Sequence, residues 1–281
     1  AIWDKVGSYC VANGITLPSI KHLVMFGAPV SKEIHLDFSK VLENGTTYTP
    51  YGATESLPVA NVSGKYLLSH TVDKTSVGYG TCVGKAAPSM EIGIISITDE
   101  VIHNVKNMNL LPNGEIGEII VKGETVTKSY FEMPQKTAEA KIYDEDGGLW
   151  HRIGDLGYLD DEGYLWFCGR KSHRINTRDK LMSTIPCEAI FNEHSEVRKS
   201  AVVGVYRGES YQTPELVVQL KDSKKKNSNM REELLKMASL HEHTKDIKKI
   251  WFHNNFPVDV RHNIKIDRLK LRDLAEQGLL E

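Results

Sequence analysis

The chain has 281 residues, 40% hydrophobic and 26% charged, with a net charge of −2. Such a length and balance suit a globular protein with room for two domains and an ample core. They exclude a strongly basic nucleic-acid binder, and no apolar run approaches the roughly 18 residues of a membrane span. The four cysteines (Cys10, Cys82, Cys168, Cys187) are scattered and form no C-x-x-C or other metal spacing. They read as free buried thiols of a reducing, cytoplasmic compartment.

The chain starts at Ala1 with no Met and no signal-peptide pattern, and its first residues already look like the middle of an amphipathic helix. That reads as a fragment of a longer protein. Ile2, Val6, Tyr9 and Cys10 follow a helical period, and Asn13-Gly14 supplies the stop. Ile20–Phe26 reads as a buried strand, broken by Gly27-Ala28-Pro29. A second helix starts at Ser31 and runs to about Glu43, before Asn44-Gly45. Thr46-Thr47-Tyr48 is a second strand, leading into Pro50-Tyr51-Gly52-Ala53-Thr54-Glu55. Helix and strand alternating at this length predict a parallel α/β sheet. Ligands bind such sheets at the carboxyl ends of strands, where Gly27–Pro29 and Tyr51–Glu55 lie.

From about Lys65 the texture changes to short strands and glycine turns, predicting an antiparallel β subdomain. Met90–Thr98 and Ile119–Gly123 read as strands, and Pro112-Asn113-Gly114 as a turn. The clearest signal is a hairpin: Gly157-Tyr158-Leu159, then Asp160-Asp161-Glu162-Gly163, then Tyr164–Cys168. Asp155 stands between Gly154 and Gly157, on an expected bend that a ligand could approach. Arg170 follows Gly169 where the second strand stops. A fixed carboxylate able to accept from two adjacent hydroxyls, with a guanidinium nearby, is what ribose and phosphate recognition requires. The same pair would equally serve as an exposed brace for the hairpin.

Residues 170–174 are charged and read as a short exposed linker, placing a boundary near Lys171–Ser172. Beyond it lies a compact α+β pattern: helices over Pro186–Asn192, Met230–His241 and Ile266–Glu281, with strands over Lys199–Val205, Glu215–Leu220 and Lys248–His253. Phe256–Lys265 reads as a loop. The basic clusters, Lys221–Lys226 among them, are short, separate and without interleaved aromatics, so no nucleic-acid partner is expected.

Taken together these pieces resemble the adenylate-forming acyl ligases. Tyr51-Gly-Ala-Thr-Glu55 matches that family's Y-G-x-T-E motif, and Gly114–Gly123 matches its G-E-x-G-E-[IL]-x-[VL]-x-G strand. Gly154-Asp155-Leu-Gly157 matches its G-D-x-[GA] turn, and Gly169-Arg170 the G-R that opens its small domain. The resemblance implies an α/β plus β-barrel-like fold followed by a small α+β C-terminal domain. Residues 1–64 would end the α/β subdomain, 65–170 would form the β-rich subdomain, and 171–281 the small domain.

It also implies roles. Tyr51 would stack on adenine, with Gly27, Ala28 and Pro29 lining the base and Gly52 and Ala53 in the same nucleotide-binding run. Thr54 would contact phosphate, Glu55 would hold Mg²⁺, Asp155 would take both ribose hydroxyls, and Arg170 would assist there. Lys265 would neutralise charge as the carboxylate attacks the α-phosphate of ATP. Each has a plainer alternative: Tyr51 as a core aromatic, Thr54 as a helix cap, Glu55 as a first-turn charge, Lys265 as a surface lysine.

Several residues depart from the common pattern. Ile153 replaces the usual Thr before G-D, and Ser172 stands at the hinge. Thr177–Leu181 carries none of the glycines that flank the pantetheine channel, and Asn263-Ile264-Lys265 replaces S-G-K. Together with Cys168–Arg174, Pro186–Asn192 and Phe256–Ile266, these are similar to one branch, the olefin β-lactone synthetases. Members of that branch adenylate a long-chain 3-hydroxy acid, whose own hydroxyl then displaces AMP. An intramolecular nucleophile needs no thiol channel.

The resemblance thus implies ATP and Mg²⁺ as cofactors, a fatty acyl substrate, and partner enzymes of a hydrocarbon or lipid pathway. No G-x-x-x-x-G-K-[ST] or S-G-T-T-G phosphate loop is present, so the expected identity is the C-terminal half of such an enzyme, inactive alone. An acyl-CoA or acyl-carrier ligase, a nonribosomal-peptide-type adenylation enzyme, and a non-catalytic nucleotide-binding homologue are the alternatives.

Overall fold

Apolar positions one helical turn apart give α1 (Ile2–Ala12) a buried face at Gly7 and Cys10. That face packs on α2 (Lys32–Val41), which buries His35, Phe38 and Val41. A Cβ on Gly7 would sit 3.2 Å from the Phe38 ring, so glycine lets the two helices approach. With Leu23, Met25 and Leu42 these residues form the core beside the first two strands. The computed structural model describes residues 2–27, 29–258 and 265–281.

The fold is mixed α/β with one large sheet. The chain divides into two compact units: Ala1–Val72 with Cys82–Phe167, and Asp73–Thr81 with Cys168–Glu281. Among the described residues the first unit is built on a nine-stranded sheet. Its strands are β1 (His22–Val24), β2 (Thr46–Ala53), β3 (Ser56–Ser63), β4 (Thr81–Ala86), β5 (Met90–Ile95), β6 (Gly117–Gly123), β7 (Lys141–Tyr143), β8 (Leu149–Leu159) and β9 (Leu165–Arg170). They lie in the order β1-β2-β3-β4-β9-β8-β6-β5, with β7 also against β8.

Only part of the sequence expectation holds for the first strands. β1 and β2 are parallel, pairing Val24 with Tyr48. The second strand does not stop at Tyr48, however. It continues to Ala53 and returns as β3, antiparallel, with Tyr51 opposite Ala60. Thr54 and Glu55 therefore form a hairpin turn inside the sheet, not the mouth of a parallel βα unit. The helix starts later, and the region after Lys65 that reads as glycine turns begins with helix. Ser63 accepts from the Tyr66 N–H at 3.2 Å and starts the helical turns Gly64–Tyr66, Leu67–Thr71 and Val72–Ser76, the middle one a π turn. Thr71, Val72 and Thr75 favour strands in isolation, and the serine cap overrides them.

The predicted hairpin is present. Asp160 Oδ1 accepts from the N–H groups of Glu162 (3.0 Å) and Tyr164 (2.8 Å), and Oδ2 accepts from Trp166 Nε1 at 2.8 Å. Gly163 closes the turn at φ +80°. The sheet's core contains Val59, Ala60, Ile94, Ile119, Val121, Ile153 and Leu165.

The second unit pairs β12 (Val197–Tyr206) antiparallel with β13 (Gln212–Leu220), and β13 parallel with β14 (Ile250–Phe252). A two-residue bridge pair, β10 (Ile175–Asn176) and β11 (Leu181–Met182), lies outside that sheet. Side-chain alternation sorts the strands into two apolar faces. Val202, Leu216, Val218 and Leu220 pack with α3 (Thr184–Asn192) and α4 (Ser228–Ser239) through Phe191, Met230 and Leu234. Ala201, Val203, Val205 and Val217 pack with α5 (Arg268–Glu276) through Leu271 and Ala275.

Within the large sheet, Arg152 on β8 and Glu118 on β6 are 6% and 2% exposed and form an ion pair at 2.6 Å. The guanidinium also donates to the carbonyls of Glu100 (2.8 Å), Thr98 (2.5 Å) and Glu139 (3.3 Å). Removing one partner of such a pair strands the other charge. Arg152→Ala should therefore lower stability by about 3–5 kcal/mol, read by urea denaturation.

Candidate nucleotide site

The site is built from a strand irregularity. On β6 the register advances from Glu118 to Ile120 while on β8 it passes from Leu156 to Arg152. β8 thus carries two extra residues there, a bulge formed by the stretch around Ile153-Gly154-Asp155. Gly154 takes φ +75°, a left-handed conformation that a bulge needs. Gly157 lets β8 run close to β9, since a Cβ there would lie 2.4 Å from the Trp166 carbonyl oxygen. Asp155 therefore does not sit on an open bend at a strand end. It lies within a bulged strand and is only 6% exposed.

Its carboxylate meets a residue 104 positions away: the Tyr51 hydroxyl donates to Asp155 Oδ2 at 2.6 Å. The Tyr51 ring in turn lies 6.0 Å from Phe167, tilted by 46°. Two residues selected for opposite ends of a nucleoside thus come together in the first unit. Gly52 must be small, because a Cβ would be 2.4 Å from the Ser56 carbonyl across the hairpin turn. Ala53 ends β2, and Thr54 is exposed on the turn. Gly27 and Pro29 follow β1 and are exposed, with Gly27 at φ +94°. Met25 donates its N–H to the Tyr48 carbonyl at 2.9 Å, so the run after β1 travels beside the approach to Tyr51. Ala28 lies outside the described residues.

Glu55 stands at the hairpin turn with a polar surround that the sequence reading missed. Tyr130 donates its hydroxyl to Glu55 Oε1 at 2.8 Å. Lys141, 1% exposed, donates Nζ to the Thr127 carbonyl, and Thr127 donates its N–H to the Glu55 carbonyl at 2.8 Å. Burial is the strongest influence on the Glu55 carboxyl and favours its neutral form. The Tyr130 hydrogen bond, its own backbone N–H, and the positive charges of His151 and Lys141 together outweigh burial and hold it below the usual range. Burial also pushes His151 down to about 4 and lowers Lys141, which the Glu55 charge partly restores. Burial and then the Glu55 hydrogen bond raise Tyr130 to about 12, which keeps its proton available for donation.

A cavity of about 480 Å³ borders this group on the side of His103, Tyr130, Met133, Thr137, Lys141 and Tyr143. Neither Tyr51 nor Asp155 lines it. A lysine in a short strand ordinarily reads as solvent-facing, so no sequence signal marks Lys141 as buried.

The remaining selected residues belong to the second unit. Arg170 and Ser172 are exposed, at the end of β9 and in the 3₁₀ turn Lys171–His173. The stretch is less solvated than a plain linker. His173 is half-buried and held down at about 4, by burial first and then by the charges of Arg268 and Arg170. Glu188 accepts from Arg268 Nη2 at 2.5 Å and Nε at 2.8 Å. Lys265, the last residue of the predicted loop, is exposed beside Ile266, which forms an isolated antiparallel bridge with Val258; Asp267 donates its N–H to the Pro257 carbonyl at 2.9 Å. Residues 259–264 of that loop, the run that carries Asn263-Ile264, lie outside the described residues.

Comparison with known proteins matches residues 4–131 to the AMP-binding enzyme family. The chain is 41% identical over 271 residues to an olefin β-lactone synthetase of Xanthomonas campestris, spanning 94% of this chain and 48% of that protein. It is 39% identical over 272 residues to an olefin β-lactone synthetase of Stenotrophomonas maltophilia, spanning 95% and 49%. The chain therefore covers about half the length of the curated relatives it matches. Among solved structures, the O-succinylbenzoate coenzyme A synthetase of Bacillus subtilis in complex with AMP superposes with a TM-score of 0.72 at 22% identity, over 96% of this chain and 49% of that one. The amide bond synthetase of Marinactinospora thermotolerans gives 0.72 at 22%, over 97% and 55%. At such identities the structures speak for the fold alone. Sequence similarity along nearly the whole chain, with the AMP-binding match, carries the family: this chain belongs to the AMP-binding, adenylate-forming enzyme superfamily.

Proposed function

We propose that this chain is the C-terminal half of an ATP-dependent ligase that adenylates a long-chain 3-hydroxy fatty acid and closes it to a β-lactone. The observation that carries the reading is the identity of 41% and 39%, along almost the whole chain, to two olefin β-lactone synthetases. The contact between Tyr51 and Asp155 supports it, because it seats the carboxylate proposed for the ribose beside the ring proposed for adenine.

In the proposed reaction the substrate carboxylate attacks the α-phosphate of ATP and pyrophosphate leaves. The 3-hydroxyl then attacks the acyl carbon, loses its proton, and AMP departs with the bonding electron pair. Asp155 takes the two ribose hydroxyls, Tyr51 flanks the base beside Gly27–Pro29, Gly52 and Ala53, and Arg170 assists at the ribose. Thr54 contacts phosphate. Lys265 offsets the negative charge that builds at the α-phosphate, an effect worth roughly 10²–10³ in rate per donor in other enzymes. Ser172 serves as the hinge, within functional divisions at 1–64, 65–170 and 171–281.

Mg²⁺ fits Glu55. Among the described residues no group of three or more His, Cys, Asp or Glu side chains gathers as a metal cage. Mg²⁺ characteristically takes one or two carboxylates, with substrate phosphates and water completing its shell. A single ionised carboxylate on a turn, beside a phosphate-contacting Thr54, suits that mode, and the ion would supply charge neutralisation on the nucleotide phosphates. We place the enzyme in the cytoplasm, since the four cysteines are free and buried. Its partners would be enzymes of a hydrocarbon or lipid pathway.

Three outcomes are expected of the full-length protein. Incubated with ATP, Mg²⁺ and a long-chain 3-hydroxy acid without coenzyme A, it should yield a neutral lactone, AMP and pyrophosphate by mass spectrometry. An adenylate that waits for a thiol would instead identify an acyl-CoA ligase. Lys265→Ala should abolish pyrophosphate release yet keep AMP binding by calorimetry; unchanged release would remove Lys265 from its role. Asp155→Ala should weaken AMP about 10- to 100-fold, as loss of a charged hydrogen-bond acceptor costs roughly 1.5–3 kcal/mol.

A further inference from the structure

The hairpin turn that carries Glu55 would leave a lone side chain free to rotate. It is not free. Tyr130 donates to one of its two carboxylate oxygens at 2.8 Å, and Tyr130 is itself held. Its N–H donates to Thr137 Oγ1 at 3.0 Å, and that hydroxyl donates to the Met133 carbonyl at 3.0 Å, at the start of the helix Pro134–Ala140. The main chain of Glu55 is tied to the same stretch through the Thr127 N–H. Carboxylate, donor and the buried Lys141 side chain therefore share one frame. The phenol is not needed to fill space, since it borders a cavity of about 480 Å³ and phenylalanine would occupy the same ring position.

We infer that Tyr130 is a positioning residue: its hydroxyl aims the Glu55 carboxylate, by way of one oxygen, at a divalent cation carried on the phosphates of the bound nucleotide. The inference rests on the reading of Glu55 as the metal-binding carboxylate. Outer partners that orient a metal-ligating side chain commonly contribute about 10- to 100-fold in metal affinity. With a single hydroxyl touching a single oxygen, the lower end applies.

The test uses the full-length protein and two measurements: binding of Mn²⁺ in the presence of α,β-methylene-ATP, read by electron paramagnetic resonance, and the Mg²⁺ dependence of pyrophosphate release. Tyr130→Phe should raise the Kd for Mn²⁺ and the half-saturating Mg²⁺ by about tenfold. KM for the acyl substrate should stay unchanged, which a general loosening of the fold would not allow. Glu55→Gln separates the two ideas. If it leaves Mn²⁺ affinity intact, the metal role of Glu55 fails. If it weakens Mn²⁺ and Tyr130→Phe does not, the positioning role fails while the metal role stands. Should Tyr130→Phe not fold, Thr137→Ala removes the hydroxyl that holds the Tyr130 main-chain N–H and should shift Mn²⁺ affinity in the same direction by less; no shift would overturn the inference.

Discussion

The large sheet depends on how β6 and β8 reconcile a mismatch of two residues. Their pairing is regular on both sides of it, and in between β8 bulges. A bulge weakens a ladder locally, and here two features hold it. Arg152, just before the bulge, is buried against Glu118 and three carbonyls, so the strand cannot slip without stranding a guanidinium. At Gly157, just after it, there is no room for a side chain against the Trp166 carbonyl. The reward is placement: Asp155 turns out of the ladder to meet Tyr51 on a strand four places away in the sheet.

Charge near Glu55 obeys a similar logic of local compensation. A buried lysine is costly unless its proton donors are used, and Lys141 uses them on the Thr127 carbonyl while standing close to a carboxylate. That carboxylate stays ionised despite partial burial because a phenol and a nearby cation favour its charged form. The turn therefore presents a negative group whose surroundings are already arranged.

The second unit is organised differently. Its sheet is sandwiched between helices on both faces, and the two apolar sets alternate along β12 and β13. Strand alternation alone nearly dictates that arrangement, since Val202, Leu216 and Val218 must face one way and Ala201, Val203 and Val217 the other. The bidentate pair between Glu188 and Arg268 fixes one helix to another, and Glu188 Oε1 also accepts from the Val202 N–H at 3.0 Å. Val258 and Ile266 form an antiparallel bridge, and Lys265 is exposed beside it.

Much of this was legible in the order of residues. Local signals were enough for α1, α2, the hairpin at Asp160–Gly163 and the alternating strands of the second unit, because period, cap and turn chemistry act over a few residues. Four short motifs in sequence were enough for the superfamily. The expected strand end at Tyr48 and the glycine turns after Lys65 were not, because pairing with β3 and the Ser63 cap overrode local preference. Nor could spacing place Asp155 in a bulge, join it to Tyr51, bury Lys141, or give Glu55 its phenol. Those features arise from contacts between residues from 14 to 104 positions apart, in registers that only the assembled sheet selects. Sequence by itself determined which residues were available for nucleotide chemistry; tertiary structure decided which of them share a hydrogen bond and which carry a buried charge, since both depend on distance in space and on exclusion of water.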